Sequence, residues 1–379
     1  MESQQMAAGV LNYVVGDLTI GKPESKEFQE WETVEKAIAA LAESSECGIP
    51  VWKPKNKGGL EDADTRHRRF VGILYSVDIV AFLAKTESLA DNQTALATSV
   101  SAVVSPNSSL LQQVEPATRL IDALEMMKNG VRRLLVRKHG VWQGLTKRFS
   151  VLYNGKWMSN SETHVSSSNA EGFFCLSRED MIRFVIGCLG ALAPLPLSSV
   201  SSLGMIEFDF DVINSSDSAM EAMQKVEEAI AVVEEGEDGR KRIIGEISAN
   251  KLWKQDYLSV ARELGGLSAG EFVRGVDDLE AAKAITHLSP RVKCEASGVP
   301  GSSKLRRNAP LTCRVSSSLA AVMAQMLSHR ASHVWVTEED SGVLLGVVAY
   351  RNVFEAITSK PSGFLPAIRT SEILRSNED

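Results

Sequence analysis

Phe70-Val-Gly-Ile-Leu-Tyr-Ser-Val-Asp-Ile79 is a short apolar strand with one glycine that turns into a helix-forming stretch. Three more stretches repeat that plan: Gly172-Phe-Phe-Cys-Leu-Ser-Arg-Glu-Asp-Met181, Ile244-Gly-Glu-Ile-Ser-Ala-Asn-Lys-Leu252 and Leu345-Gly-Val-Val-Ala-Tyr-Arg-Asn-Val353. Each follows a helix-like segment and a further apolar strand. A repeated unit moves the search for function to the seams between copies. One such unit is too small to cover both faces of its helices. Packing two copies through their sheets solves that problem, so the first should pair with the second and the third with the fourth.

Working outward, Thr33 reads as the N-cap of the helix that precedes the first copy. Apolar Leu120, Ile121, Leu124 and Met127 mark one face of the matching helix in the second. These patterns predict a mixed α/β (α+β) chain of four βαββα units. The first repeat covers 1–90 and the second 91–193, with an insertion at 142–170. The third covers 194–264 and the fourth 310–362. The Pro- and Ser-rich stretch 194–204 reads as a hinge between halves. Residues 265–309, with a basic Lys304-Leu-Arg-Arg307, read as a flexible connection. Residues 53–69 are a polar insertion, and 363–379 a loose tail.

The chain has 379 residues, 44% hydrophobic content and a formal net charge of -7. The hydrophobic content supports full cores. The negative balance opposes nucleic-acid phosphates, so no nucleic-acid partner is expected. Five scattered cysteines without a C-x-x-C pair argue against both a zinc site and a disulfide framework. No secretory signal is visible at the start, and a reducing cytoplasmic or nuclear compartment is the simple reading. The apolar stretch 184–197 is too short to span a bilayer and carries Pro194 and Pro196, so membrane insertion is not expected. There is no phosphate-binding GxxxxGK[ST] loop, no kinase catalytic set and no HExxH, so no catalytic activity is expected.

The repeated strand–helix–strand–strand–helix unit resembles the cystathionine-β-synthase (CBS) domain. Four copies in two pairs (Bateman modules) resemble the γ regulatory subunit of the AMP-activated/SNF1-type protein kinase. Ile49-Pro-Val-Trp52 and Phe70-Val-Gly-Ile-Leu74 carry that likeness. The chain is also similar to plant four-repeat CBS-domain-containing proteins of the CBSX type. There the matching stretches are Val14-Val-Gly-Asp-Leu-Thr-Ile-Gly-Lys-Pro23, Val80-Ala-Phe-Leu-Ala-Lys-Thr86 and Ser317-Ser-Leu-Ala-Ala-Val-Met-Ala-Gln-Met-Leu-Ser-His329.

The resemblance implies adenosine nucleotides (AMP, ADP or ATP, with S-adenosylmethionine as a variant) bound in clefts between repeats. Ribose needs a carboxylate acceptor and phosphate needs donors or cations. The family motif runs Gly, two apolar residues, Ser/Thr, two spacers, Asp. Only the second unit keeps both polar groups, Ser177 and Asp180. The first has Asp78 but Tyr75 at the hydroxyl position, the third has Ser248 but Lys251, and the fourth has Ala349 and Asn352. Arg132 and Arg133, and His333 in the fourth unit, occupy the phosphate-facing strand positions. One candidate cleft therefore joins Asp78, Arg132, Arg133, Ser177 and Asp180. A second involves His333 and Asn352.

Plainer readings stand beside these. Ser177 and Asp180 also make a capping box. Arg132 and Arg133 also suit an edge strand, where charge discourages aggregation. His333 also suits a satisfied core histidine, and Tyr75 could fill an adenine slot. The functional expectation is a non-catalytic regulator of a SNF1-related/AMP-activated-type kinase complex or another regulated protein. The alternative is a scaffold with degenerate pockets. Whether the modules pair within one chain or through a homodimer stays open.

Overall fold

The computed structural model describes residues 13–54, 69–138, 151–153, 156–158, 172–225, 229–275, 309–339 and 341–359. Four units follow one plan. The first contains β1 (Phe28–Gln29), α1 (Val34–Glu43), β2 (Gly48–Trp52), β3 (Phe70–Tyr75) and α2 (Ser76–Leu83). The second contains β4 (Leu111–Val114), α3 (Leu120–Lys128) and β5 (Arg133–Arg137). A small hairpin follows, β6 (Val151–Tyr153) with β7 (Lys156–Met158), and then β8 (Phe173–Ser177) and α4 (Arg178–Gly187). The third contains β9 (Val212–Asn214), α5 (Ala219–Lys225), β10 (Ala229–Glu235), β11 (Lys241–Ser248) and α6 (Ala249–Leu252). Helices α7 (Tyr257–Gly266) and α8 (Ala269–Arg274) come after it. The fourth contains β12 (Thr312–Arg314), α9 (Leu319–His329), β13 (His333–Thr337), β14 (Leu344–Ala349) and α10 (Tyr350–Thr358).

Each unit builds a three-stranded sheet: the first strand runs parallel to the second, and the last pairs antiparallel with it. The register opposes Tyr75 to Gly48, Ser177 to Arg133, Ser248 to Ala229 and Ala349 to His333. The repeat is thus exact at the turn into each final helix. The glycine quoted for the second unit, Gly172, falls out of step, because Phe174 stands where Gly72, Gly245 and Gly346 stand elsewhere. The glycines answer a close approach. A Cβ on Gly72 would lie 2.5 Å from the Ser105 carbonyl, and one on Gly346 would lie 2.7 Å from that of Glu207.

Of the units' first helices, α1 starts as its sequence predicts. Thr33 Oγ accepts the Lys36 N–H at 3.3 Å, and Val34, Ala37 and Leu41 form a fully buried stripe. Four linker segments bridge to the N-terminal ends of these helices: Val14 to Arg119, Ser99 to Thr33, Ser199 to Ser318 and Ser268 to Ser218. The next residue of each segment, Val15, Val100, Val200 and Ala269, is wholly buried. This corrects the hinge expected at 194–204. That stretch is docked on the fourth unit, where Val200 N–H donates to Ser317 O at 2.9 Å.

The connection expected at 265–309 also begins as ordered structure, since α8 buries Phe272 and Val273. Residues 276–308 lie outside the described residues, as do 55–68, most of 142–170 and the tail from 360. The third unit's last helix is a single turn, Ala249–Leu252. The chain breaks between α6 and α7, where Lys254 adopts φ 63°.

Packing within each pair runs through the sheets. Trp52, Phe70 and Ile73 meet Leu111, Leu135 and Phe173, while Ala231 and Val233 meet Trp335 and Val347. Packing between pairs runs through the helices. The first unit's α2 lies on α6 and α7 of the third, and the second unit's α3 and α4 lie on α10 and α9 of the fourth. The expected pairs form within one chain, and the four units close into a ring.

Candidate ligand-binding site

Each final strand delivers its last residue to a helix N-terminus, where backbone N–H groups lack intrahelical partners. The side chain three residues on turns back to cap them. Tyr75 N–H donates to Asp78 Oδ2 at 2.8 Å, Ser177 N–H to Asp180 Oδ2 at 2.7 Å, and Ala349 N–H to Asn352 Oδ1 at 2.7 Å. Ser177 Oγ also accepts the Asp180 N–H at 3.2 Å, which completes the capping box.

These helix starts converge on a cavity of about 90 Å3 lined by all four units. That is room for several waters or for a phosphate group. Its charged wall has four guanidinium groups, Arg132, Arg133, Arg178 and Arg330, against two carboxylates, Glu46 and Glu179. Arginine stays protonated in proteins, so cations prevail even with both acids ionised. Burial moreover pushes the Glu179 carboxyl up.

The four arginines are held in place. Arg133 pairs with Glu46 at 2.5 Å and donates to Gly48 O at 3.4 Å. Arg178 donates to Val131 O at 3.2 Å and Met127 O at 2.9 Å, covering carbonyls at the end of α3. Arg330 reaches from the fourth unit to the Ser45 carbonyl of the first and lies 5.6 Å from the Trp253 ring centroid. Arg132 donates to Tyr75 Oη at 3.2 Å and lies 5.6 Å from that ring's centroid. The Tyr75 ring covers Gly48 so closely that a Cβ there would lie 2.6 Å from it. Further bonds tie the units together around the cavity. Trp253 Nε1–H donates to Leu41 O at 2.9 Å, and Asn250 Nδ2–H to His329 O at 3.1 Å.

Of the expected residues, Arg132, Arg133 and Ser177 meet on this wall, while Asp78 and Asp180 stand off it. Burial pushes the Asp78 carboxyl up to about 6, against the Tyr75 N–H and Arg132. Asp180 has a partner far away along the chain: Lys22 Nζ lies 2.6 Å from its Oδ2. Burial would raise this carboxyl, but the Lys22 charge overrides it and holds it below the usual range.

The two residues expected to make a second cleft lie elsewhere. His333 and Asn352 do not line the cavity. His333 Nε2 lies 3.2 Å from Glu246 Oε2, the same oxygen accepts Trp335 Nε1–H at 2.7 Å, and Ser248 Oγ donates to Oε1 at 3.2 Å. This cluster is buried between the third and fourth units, with Glu246 1% and His333 3% exposed. His333 is a satisfied core histidine, and Asn352 is a cap.

Sequence reasoning missed Lys22, Glu46, Arg178, Trp253, Arg330 and Glu246. Two carried a signal. Arg178 follows Ser177 directly, and Glu246 is a lone acid in the apolar run Ile243-Ile-Gly-Glu-Ile247. Among the described residues no group of His, Cys, Asp and Glu could hold a metal ion. No described helix is long and apolar enough to cross a membrane. The cavity's thiol is a poor nucleophile, since burial pushes Cys47 up to about 12.

The CBS domain family model matches residues 303–359. The CBS domain-containing protein CBSX6 of Arabidopsis thaliana is 51% identical, over 97% of this chain and 98% of that protein. The chain belongs to the CBS-domain-containing proteins. A second Arabidopsis thaliana protein, the SNF1-related protein kinase regulatory subunit gamma-like PV42b, is 23% identical over 94% of this chain and 97% of its own length. The crystal structure of MJ1225 from Methanocaldococcus jannaschii covers 90% of this chain and 99% of its own, with a TM-score of 0.52 at 14% identity. At that identity the likeness is one of fold: four CBS repeats in tandem.

Proposed function

We propose that this CBS protein is a non-catalytic regulator that takes the phosphates of an adenosine nucleotide in the central cavity. Occupancy there would alter its grip on a protein partner, a SNF1-related kinase complex being the class indicated by the gamma-like relative. The observation that carries the reading is the excess of four guanidinium groups over two carboxylates where all four repeats meet. Guanidinium forks suit phosphate oxygens, and partial burial strengthens each bond. An anion at this point touches both modules and can favour one arrangement of the ring, as any allosteric ligand must.

Isothermal titration with AMP, ADP, ATP and S-adenosylmethionine tests the proposal. The phosphorylated ligands should bind and S-adenosylmethionine should not, because its sulfonium and ammonium outweigh its single carboxylate and leave it net positive against a cationic wall. Arg132→Ala should weaken binding about tenfold, the scale of one charge-assisted hydrogen bond. Absence of heat up to millimolar nucleotide would refute the nucleotide assignment. The scaffold reading is favoured by the two acceptors already engaged within the chain, Asp180 by Lys22 and Glu246 by His333. It expects kinase-subunit binding that ignores both nucleotide and Arg132→Ala.

A further inference from the structure

The stretch before β1 is a strap across the second repeat. Its Val15 and Gly16 N–H groups donate to Thr118 O at 2.8 Å and Pro116 O at 2.9 Å, at the approach to α3. Nine residues on, Ser25 N–H donates to Phe173 O at 2.8 Å, at the start of β8. Between these anchors, Lys22 N–H closes a turn onto Thr19 O at 3.0 Å, and its side chain reaches Asp180. The Lys22 and Asp180 side chains are only 9% and 14% exposed. Asp180 Oδ2 thus holds Lys22 at 2.6 Å together with Ser177 N–H at 2.7 Å and Ser177 Oγ at 3.1 Å. Ser177 lines the central cavity, so this carboxylate stands one side chain away from the arginine wall.

We propose that Lys22 is a specificity-determining residue: its ammonium, rather than a ligand's sugar, is the built-in partner of Asp180. The inference rests on the nucleotide reading of the cavity. A ribose diol is recognised by donating to a carboxylate. An ammonium offers donors of its own and cancels the charge that made the carboxylate a strong acceptor. Both ends of the strap are fixed by backbone bonds, so a ligand hydroxyl must compete with a preorganised ion pair. Selection among phosphorylated ligands then falls to the arginines, and the sugar hydroxyls contribute little.

The test compares ATP with 2′,3′-dideoxy-ATP by isothermal titration, on the wild-type protein and on Lys22→Met. Methionine keeps the apolar stem and removes the charge. The wild-type protein should bind the two within about twofold, while Lys22→Met should prefer ATP by about tenfold, one charge-assisted hydrogen bond. A tenfold ribose preference in the wild-type protein overturns the inference, and so does a variant with no preference. Lys22→Gln, which keeps a donor without the charge, should fall between and serves if Lys22→Met does not fold. If the wild-type protein binds neither ligand and Lys22→Met gains ribose-dependent binding, the nucleotide reading falls for the native chain while the role of Lys22 stands. If neither protein binds either ligand, both fall.

Discussion

Removing the carboxylate that joins the third and fourth repeats should cost more than any surface change. In Glu246→Ala, Trp335 Nε1–H loses its acceptor at 2.7 Å and His333 Nε2 its neighbour at 3.2 Å, at residues only 1% and 3% exposed. Two buried donors left unmatched cost about 1–3 kcal/mol each. The expected loss is therefore about 4 kcal/mol. Glu246→Gln keeps an acceptor oxygen and should lose about half of that. Urea unfolding followed by circular dichroism measures both. The pH dependence supplies a second reading. Burial raises this carboxyl and the His333 contact more than reverses the effect, so its folded value lies below the ordinary 4.5. A depressed acid stabilises fully above its unfolded value, and that contribution disappears as pH falls through the folded value. The wild-type protein should thus lose part of its stability below about pH 4.5, and Glu246→Gln should lose less over the same range. A Glu246→Ala loss under about 1 kcal/mol would refute the claim that this cluster fastens the two sheets.

Asp78 should behave in the opposite sense. Its folded value of about 6 exceeds the unfolded 3.8, so its charge opposes folding increasingly as pH rises from about 4 to 6. Asp78→Asn keeps a capping oxygen and should stabilise the protein at pH 7 by about 2 kcal/mol, read by the same unfolding assay. Gly72→Ala drives a methyl to 2.5 Å from Ser105 O and should cost about 1–3 kcal/mol, seen as a lower melting temperature. Arg330→Ala should weaken nucleotide binding and also loosen the contact between modules, because Arg330 holds the Ser45 carbonyl of the first repeat. Faster amide exchange at residues 45–48 would register that loosening, and unchanged exchange there would count against it.

What could be read from sequence was whatever repeats locally. The strand-to-helix turn appears four times with the same register, and its cap follows from two residues three positions apart, as at Ser177 and Asp180. Pairing of sheets followed from apolar strands such as Val71-Gly-Ile-Leu74 and Val334-Trp-Val336, which need cover on both faces. Partnerships distant in sequence were not legible. Lys22 meets Asp180 across 158 positions and Glu246 meets Trp335 across 89, and neither residue type announces its partner. The ordered α8 escaped because six residues give too little periodicity to read. The break at Lys254 escaped because a left-handed lysine has no compositional sign.

The ring explains how degenerate repeats can still make one site. Three family-type acceptors are spent on internal duties: Asp78 caps α2, Asp180 holds Lys22, and Asn352 caps α10. The repeat geometry nevertheless brings four helix starts to one point, where their dipoles add to a field already positive from arginines. Three of those arginines come from the second repeat and one from the fourth, across the helix-packed seam. A ligand that engaged the second repeat alone would bind without telling the other module. One that spans Arg330 and Arg132 adds a contact between the modules, and only the difference between the spanned and unspanned arrangements can be transmitted. On the proposed reading, sensing would depend less on the number of intact clefts than on whether the anion reaches across that seam.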